Sequence, residues 1–141
     1  MRVLGLDLGT KTLGMAMSDK LGFMANTYKT IFFKSEAYDE LLEPLKEIIE
    51  KEKVDVIVLG FPKNMNNTIG PRAQTTIVFK EKLEEFLGRE VILEDERWTT
   101  IQANNILIKA DMSRKKRKKT VDKVAATFIL QSYLDKNRKG D

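Results

Sequence analysis

The chain has 141 residues, of which 42% are hydrophobic and 33% charged, and this length and balance fit one globular domain with its own core. It contains neither cysteine nor histidine, which excludes disulfides, thiol nucleophiles, Ser-His-Asp triads and zinc sites of the Cys/His kind. Any enzymatic chemistry must therefore rest on other polar side chains, and carboxylates that hold a hard cation such as Mg²⁺ are favoured.

The first third of the chain predicts three strands and a helix. The segments RVLGLDLG and TLGMAMS are typical of two strands joined by the tight turn GTK, and FMANTYKTIFF suits a third. Strands with such short connections form an antiparallel meander. The apolar spacing then changes to three and four residues, which predicts an amphipathic helix from Tyr38 to about Lys53. Pro44 lies inside this segment and should either kink the helix or mark its true beginning.

The rest of the chain alternates between strands and helices. VDVIVLGFP is almost unbroken in its apolar character, as expected for a strand covered on both faces. Gly70-Pro71 should open a second helix that stops near Gly88. The apolar face of that helix is predicted to comprise Ala73, Ile77, Leu83, Phe86 and Leu87.

EVILEDER predicts a fifth strand. A third helix should follow, capped at Thr99, and a last helix should run from about Thr120 to Lys136. This order of elements predicts a single α/β domain over residues 1–141, with helices on the faces of a mixed sheet.

Carboxylates occur at three places that the fold could bring together. Asp7 lies in the apolar first strand, where a carboxylate is costly unless it is paired, bound to a cation or bonded to nearby backbone N–H groups. Glu94, Asp95 and Glu96 end the fifth strand, so Glu94 and Glu96 should share one face and Asp95 the other. Asp122 begins the last helix, where an aspartate can also act as a simple cap.

The positive charge is concentrated in one segment. Residues 114–119 read RKKRKK, and without these six charges the net charge of +4 becomes −2. Such a run favours a polyanion as partner, although it also suits a solvated surface loop. Acids that converge on a sheet beside a basic segment are what two-metal hydrolysis of a phosphodiester requires.

Four blocks of the chain resemble the YqgF/RuvX family in order and spacing. They are GLDLGTKTLGMAMSD, VIVLGFPKNMNNTIGPRA, DERWTT and KKRKKTVDKVAATFILQSYLD, and together they span nearly the whole chain. The resemblance implies a ribonuclease H-like fold with a five-stranded sheet whose first three strands are antiparallel. It also implies a cytoplasmic nuclease that uses Mg²⁺ or Mn²⁺ to process the 5′ end of pre-16S rRNA in ribosome biogenesis.

The same resemblance assigns residues to the site. It implies that the catalytic and metal-binding acids are Asp7, Glu96 and Asp122. Resolvases of this fold use four carboxylates, and Asp19, Asp95 and Asp111 are the candidates for the fourth. The residues that we expect to contact nucleic acid are Lys63, Asn64, Arg97, Lys115, Lys116, Arg117, Lys118 and Lys119.

Three other functions stay open at this point. The same acids would serve a Holliday-junction-type DNA endonuclease, which should act as a symmetric dimer on branched DNA. A non-catalytic RNA-binding factor in ribosome assembly would use the basic segment and not the acids. An ATP-binding kinase-like protein would use the Gly-Thr turn, but it needs a second phosphate loop and a second domain. The expected partner is ribosomal RNA precursor, free or on the ribosome, and the expected state is a monomer or weak homodimer without membrane association.

Overall fold

The computed structural model describes residues 1–62, 70–95 and 114–136, and for residues 114–124 it describes the backbone alone. Within these residues the strands are β1 (Val3–Leu8), β2 (Thr12–Ser18), β3 (Ala25–Phe32), β4 (Val56–Phe61) and β5 (Val91–Asp95). They form one sheet in the order β3-β2-β1-β4-β5. The β1–β2 and β2–β3 pairs are antiparallel, whereas β1–β4 and β4–β5 are parallel. The predicted mixed sheet, with its first three strands antiparallel, is confirmed.

The first predicted helix divides into a 3-10 turn over Tyr38–Leu41 and helix α1 (Leu42–Lys51). Pro44 is the third residue of α1, where a missing N–H costs nothing because the first four N–H groups of a helix have no partner within it. The proline therefore stands near the start of the helix and does not interrupt it. Lys53, with φ of 55°, takes the left-handed conformation in which many helices end.

Helix α2 (Pro71–Leu87) begins and ends where the sequence predicts, with Gly88 in the left-handed conformation at φ of 67°. Its buried face differs in part from the prediction. Ala73 and Leu83 are buried as expected, but Phe79 is buried with them, and Phe86 is 37% exposed. Phe79 lies four residues before Leu83 and so shares its face. Phe86 turns instead toward α1, where the Lys46 Nζ lies 5.5 Å from its ring centroid.

The last helix is longer than predicted. Helix α3 runs over Arg114–Lys136, so the basic run is part of the helix and does not form a loop before it. Lysine and arginine are good helix formers, and their lack of apolar periodicity hides this in the sequence. The helix predicted from Thr99 lies outside the described residues. No helix in the described ranges has the length and apolar character that crossing a membrane requires.

Two cores cover the two faces of the sheet. On one face, leucines of β1 pack with residues of α1 and α2 that include Leu45, Phe79 and Leu83. On the other face, which we call the α3 face, small and branched residues of the sheet pack with Ala126, Ile129, Leu130 and Leu134. A Cβ added to Gly5 of β1 would lie 2.7 Å from the Leu130 Cβ and 3.2 Å from the Ala126 carbonyl oxygen. Helix α3 therefore lies directly on β1.

Candidate functional site

Asp7 lies on the α3 face, one residue before the end of β1. Gly5 faces α3, and because side chains alternate along a strand, Asp7 shares its face while Leu6 and Leu8 point into the opposite core. Asp7 is half-buried, whereas its two leucine neighbours are buried. β1 therefore has a core of large apolar side chains on one face and a carboxylate on the other, the face that α3 covers.

The residues beside Asp7 on both neighbouring strands are glycines. Gly14 of β2 pairs directly with Asp7. On the other side Leu6 pairs with Leu59 of β4, so the next step along both strands sets Asp7 beside Gly60. Gly60 in turn pairs with Glu94 of β5. Neither neighbouring strand therefore covers Asp7 with a side chain, and one row across the α3 face contains two carboxylates.

Glu94 is almost fully buried, at 4% exposure, and is ion-paired. Its two carboxylate oxygens accept hydrogen bonds from Lys136 Nζ at 2.5 and 3.1 Å. A buried carboxylate needs such a partner, because burying a lone charge is costly. Burial, followed by the charges of Glu94 and Glu90, raises the pKa of Tyr133 above its usual value. Strand alternation predicts that Glu94 and Asp95 take opposite faces, but the pairing of Glu94 with Lys136 has no signal in the sequence.

The backbone of α3 sets the position of Asp122. Asp122 stands four residues, one helical turn, before Ala126, so the two positions share a face of the helix. Ala126 is fully buried, and its carbonyl oxygen lies against Gly5, two residues from Asp7. The small side chains expected to let the helix approach the sheet are thus at the contact. The meeting of Asp122 with Asp7 stays a prediction.

Several predicted site residues lie outside the described residues. They are Lys63, Asn64, Glu96, Arg97 and Asp111. Lys115, Lys116, Arg117, Lys118 and Lys119 occupy the first turns of α3, and their contacts with nucleic acid stay predictions. Among the residues whose side chains are described, no three acids gather in a group that could hold a metal ion.

The two described candidates for a fourth acid, Asp19 and Asp95, lie at different places on the sheet. Asp19 follows β2 at the end of the sheet where β1 begins, because Ser18 lies beside Val3 and accepts its N–H bond. Its carboxylate accepts the N–H groups of Phe23 and Met24 at 2.8 and 3.2 Å. The bond from Met24 leads the causes that lower the pKa of Asp19. Asp19 is therefore a turn residue, separated from Asp7 by most of the length of β1. Asp95 ends β5 on the face opposite Glu94.

One residue near Asp7 has no place among the sequence predictions. Arg72, in the first turn of α2, donates a hydrogen bond from Nη2 to the carbonyl oxygen of Leu8 at 3.2 Å. Leu8 directly follows Asp7. The sequence offers one hint, since Arg72 belongs to the block VIVLGFPKNMNNTIGPRA, but nothing in the block shows which strand this arginine contacts.

Comparison with known proteins identifies the family. The family model RuvX, described as Holliday junction resolvase, matches residues 1–136. A protein of Clostridium botulinum strain Hall named "Putative pre-16S rRNA nuclease" is 54% identical over 135 residues, which cover 96% of this chain and 97% of that protein. The match thus extends over nearly the whole length of both proteins.

Solved structures share the fold at low sequence identity. Thermus thermophilus RuvC, in complex with a Holliday junction substrate, has a TM-score of 0.64 at 13% identity, over 99% of this chain and 96% of that one. The Holliday junction resolvase of fowlpox virus has a TM-score of 0.57 at 16% identity, over 96% of this chain and 99% of that one. The ribonuclease H-like fold implied by the sequence blocks is therefore confirmed. With the match to the family model, it follows that the chain belongs to the RuvX family of Holliday junction resolvase-like nucleases, which are phosphodiester hydrolases.

Proposed function

We propose that this protein is a metal-dependent nuclease that processes the 5′ end of pre-16S rRNA in the cytoplasm during ribosome biogenesis. The observation that carries the proposal is the position of Asp7. Its half-buried carboxylate lies near the end of β1 on the α3 face, beside glycines of β2 and β4. The substrate is that of the Clostridium relative, as its name gives it.

The residues available at this place fit a divalent cation. Carboxylate oxygens are the ligands that Mg²⁺ and Mn²⁺ prefer, and the chain has no cysteine or histidine to offer instead. We assign Asp7, Glu96 and Asp122 as the residues that would hold the metal. A bound metal of this kind activates water for attack on phosphorus and stabilises the leaving oxygen. The glycines beside Asp7 place no side chain between its carboxylate and such a metal.

The basic start of α3 would hold the substrate. Lys115 to Lys119 lie in its first turns, and Asp122 follows them on the same helix. These side chains would contact backbone phosphates without reading the base sequence, because lysine and arginine bind phosphate as a charge. Arg97, Lys63 and Asn64 are assigned to phosphates nearer the scissile bond. A strand held in this way would lie along α3 and pass over Asp7.

Branched DNA is the second candidate substrate, because the matching family model is described as a Holliday junction resolvase. A resolvase must cut two strands symmetrically and should therefore act as a two-fold symmetric dimer. A monomer in solution that cleaves RNA would decide against junction resolution. A dimer that cuts a four-way junction and leaves precursor rRNA intact would decide for it.

The test is cleavage of precursor rRNA with an extended 5′ end by the purified protein, with Mg²⁺ or Mn²⁺, beside a four-way DNA junction. Asp7→Asn should lower the cleavage rate at least about 100-fold, a loss typical of removing a group that stabilises the transition state. The matched control is Asp19→Asn, which changes an aspartate at the far end of the sheet and should keep near wild-type activity.

Two outcomes would contradict the proposal. Cleavage that persists in Asp7→Asn would remove Asp7 from the site. If Asp7→Asn and Glu96→Gln both restore growth to cells that lack the gene, the acids do not carry the function, and the protein is a non-catalytic assembly factor.

A further inference from the structure

A small open cleft, lined by apolar residues together with two charged side chains and several hydroxyls, lies just beyond the end of β1. It has a volume of about 130 Å³. Its walls come from the β1–β2 turn, from the chain before α1 and from the first turns of α2, and include Gly9, Thr10, Glu36, Tyr38, Arg72 and Thr75. One water takes about 30 Å³ in the liquid, so the cleft admits a group with the size of a phosphate. None of these residues belongs to the metal-binding set assigned above.

The guanidinium of Arg72, an exposed residue, lies at this cleft. Its Nη2 donates to the Leu8 carbonyl oxygen at 3.2 Å in a partly buried bond. That bond takes one of the five N–H donors that a guanidinium carries. Because Leu8 directly follows Asp7, the bond holds a permanent positive charge one residue from the candidate catalytic acid. The planar guanidinium matches the two oxygens of a phosphate in a way that lysine cannot.

The threonine hydroxyls of α2 donate their protons inside the helix. Thr75 Oγ1 donates to the Pro71 carbonyl at 3.0 Å, and Thr76 Oγ1 donates to the Arg72 carbonyl at 2.9 Å. Neither hydroxyl proton is left for an anion in the cleft. Arg72 is therefore the charged donor that the described part of α2 offers there.

Glu36 forms the opposite wall under backbone strain. Its φ is 62°, which a glutamate rarely adopts, and its N–H donates to the Thr10 carbonyl at 2.9 Å. Strained residues of this kind concentrate at functional sites. Burial, and then the charge of Glu36, raise the pKa of Tyr38, while the charge of Arg72 lowers it. The charges of Glu36 and Arg72 thus both act on the Tyr38 hydroxyl.

We propose that Arg72 is a substrate-binding residue that holds the nucleic-acid phosphate next to the scissile one. The inference rests on the proposed function, because it requires a nucleic-acid strand to pass over Asp7. A strand bound along α3 and across Asp7 would reach the end of β1, where the guanidinium lies. There Arg72 would fix the position of the strand relative to the acid.

The test measures binding of a fluorescently labelled 12-nucleotide single-stranded RNA in an Asp7→Asn background, which prevents cleavage. Arg72→Gln should weaken binding about tenfold at fixed salt, since a hydrogen-bonded charge on a phosphate is lost. The slope of log K against log salt should fall by about 0.7, the value for one phosphate of a single strand. Arg72→Lys should keep the slope and lose part of the affinity, because it keeps the charge without the planar donor pair.

Arg89→Gln is the matched control. Arg89 also donates from Nη2 to a backbone carbonyl, that of Asp55 at 2.6 Å, but at the end of the sheet where β4 begins. Its replacement should leave affinity and slope unchanged. Equal affinities for Arg72→Gln and Arg89→Gln would overturn the inference.

Glu36→Gln tests whether the cleft binds an anion or a cation, and this test does not depend on whether Arg72→Gln folds. Removal of a negative charge beside a bound phosphate should strengthen RNA binding about twofold to threefold. A weakening would show that the cleft takes a cation and would overturn the inference. Thermal unfolding of each variant separates loss of binding from loss of fold.

The outcomes for this inference and for the proposed function differ. If the wild type does not cleave precursor rRNA but Arg72→Gln still weakens RNA binding, the proposed function is wrong, and Arg72 contacts a nucleic-acid phosphate that is not next to a scissile one. If the wild type cleaves and Arg72→Gln binds as Arg89→Gln does, the function stands and the role of Arg72 is wrong.

Discussion

The two faces of the sheet are built from opposite kinds of residue. On the face that α1 and α2 cover, β1 contributes Leu4, Leu6 and Leu8, all in a core of large side chains. On the α3 face the same strand contributes Val3, Gly5 and Asp7. The first face gains stability from large buried side chains, and at Gly5 the second gives up side-chain volume so that a helix can approach closely. One six-residue strand therefore serves stability with one set of alternate residues and carries the proposed catalytic acid in the other.

A comparison of Leu6→Ala with Asp7→Asn should give the largest effects, because one variant should lose stability and the other should lose cleavage. Leu6 is fully buried, so its truncation should lower the free energy of unfolding by about 2–5 kcal/mol and leave the cleavage rate per folded molecule near wild type. Asp7→Asn should do the reverse, with a change in unfolding free energy of about 1 kcal/mol or less. Urea unfolding and single-turnover cleavage measure the two effects. A variant that lost both properties equally would mean that the faces are not independent.

Gly5→Ala should give the next largest effect, and it should lower both stability and cleavage. Its new Cβ would lie 2.7 Å from the Leu130 Cβ, so α3 must shift, at a cost of about 1–3 kcal/mol. Because α3 also carries Asp122, we expect cleavage to fall as well. The control is Gly88→Ala, where nothing lies within 4 Å of the added Cβ and the positive φ alone costs about 1 kcal/mol. Unchanged cleavage in Gly5→Ala would show that the site tolerates movement of α3.

Glu84 provides the smallest effect and a dependence on pH. Its carboxylate accepts the Val91 N–H at 2.9 Å and pairs with Lys80 at 3.0 Å, and the Val91 bond leads the causes that lower its pKa below 4.5. A lowered pKa adds stability above pH 4.5, and this is lost as the pH falls through the folded-state pKa. Glu84→Gln should cost a few tenths to about 1 kcal/mol at pH 7 and less near pH 3.

The control for this effect is Glu85→Gln, the same substitution at the neighbouring, exposed glutamate of α2. Urea unfolding at the two pH values is the measurement. A cost that is the same at pH 3 and pH 7 would show that the hydrogen-bond geometry, and not the charge, ties α2 to β5.

The sequence predicted what depends on local pattern. The runs VLGLDL and VIVLGF, with their apolar character and turn residues, placed the strands correctly, and Gly88 placed the end of α2. Alternation along β5 predicted that Glu94 and Asp95 take opposite faces. The prediction that the last helix begins near Thr120 is wrong, because the basic run consists of helix-forming residues without the apolar period that would indicate a helix.

The contacts around the site could not be predicted because they join distant residues. Lys136 and Glu94 are 42 residues apart, and Arg72 and Leu8 are 64 apart. No periodicity or spacing indicates which arginine or lysine reaches a given carbonyl or carboxylate. These contacts depend on how α3 and α2 pack on the sheet. That packing in turn depends on the size of residues such as Gly5 and Leu130.

The docking of α3 on Gly5 has a consequence for biosynthesis. The ribosome makes the five described strands before α3, and the approach of Leu130 to Gly5 joins residues that are far apart in the sequence. Contacts of such sequence separation form late, because a long loop must close first. Asp7 is thus made with the first strand, while the helix that covers its face follows all five described strands. A nascent chain therefore carries Asp7 on an uncovered face until α3 has been made.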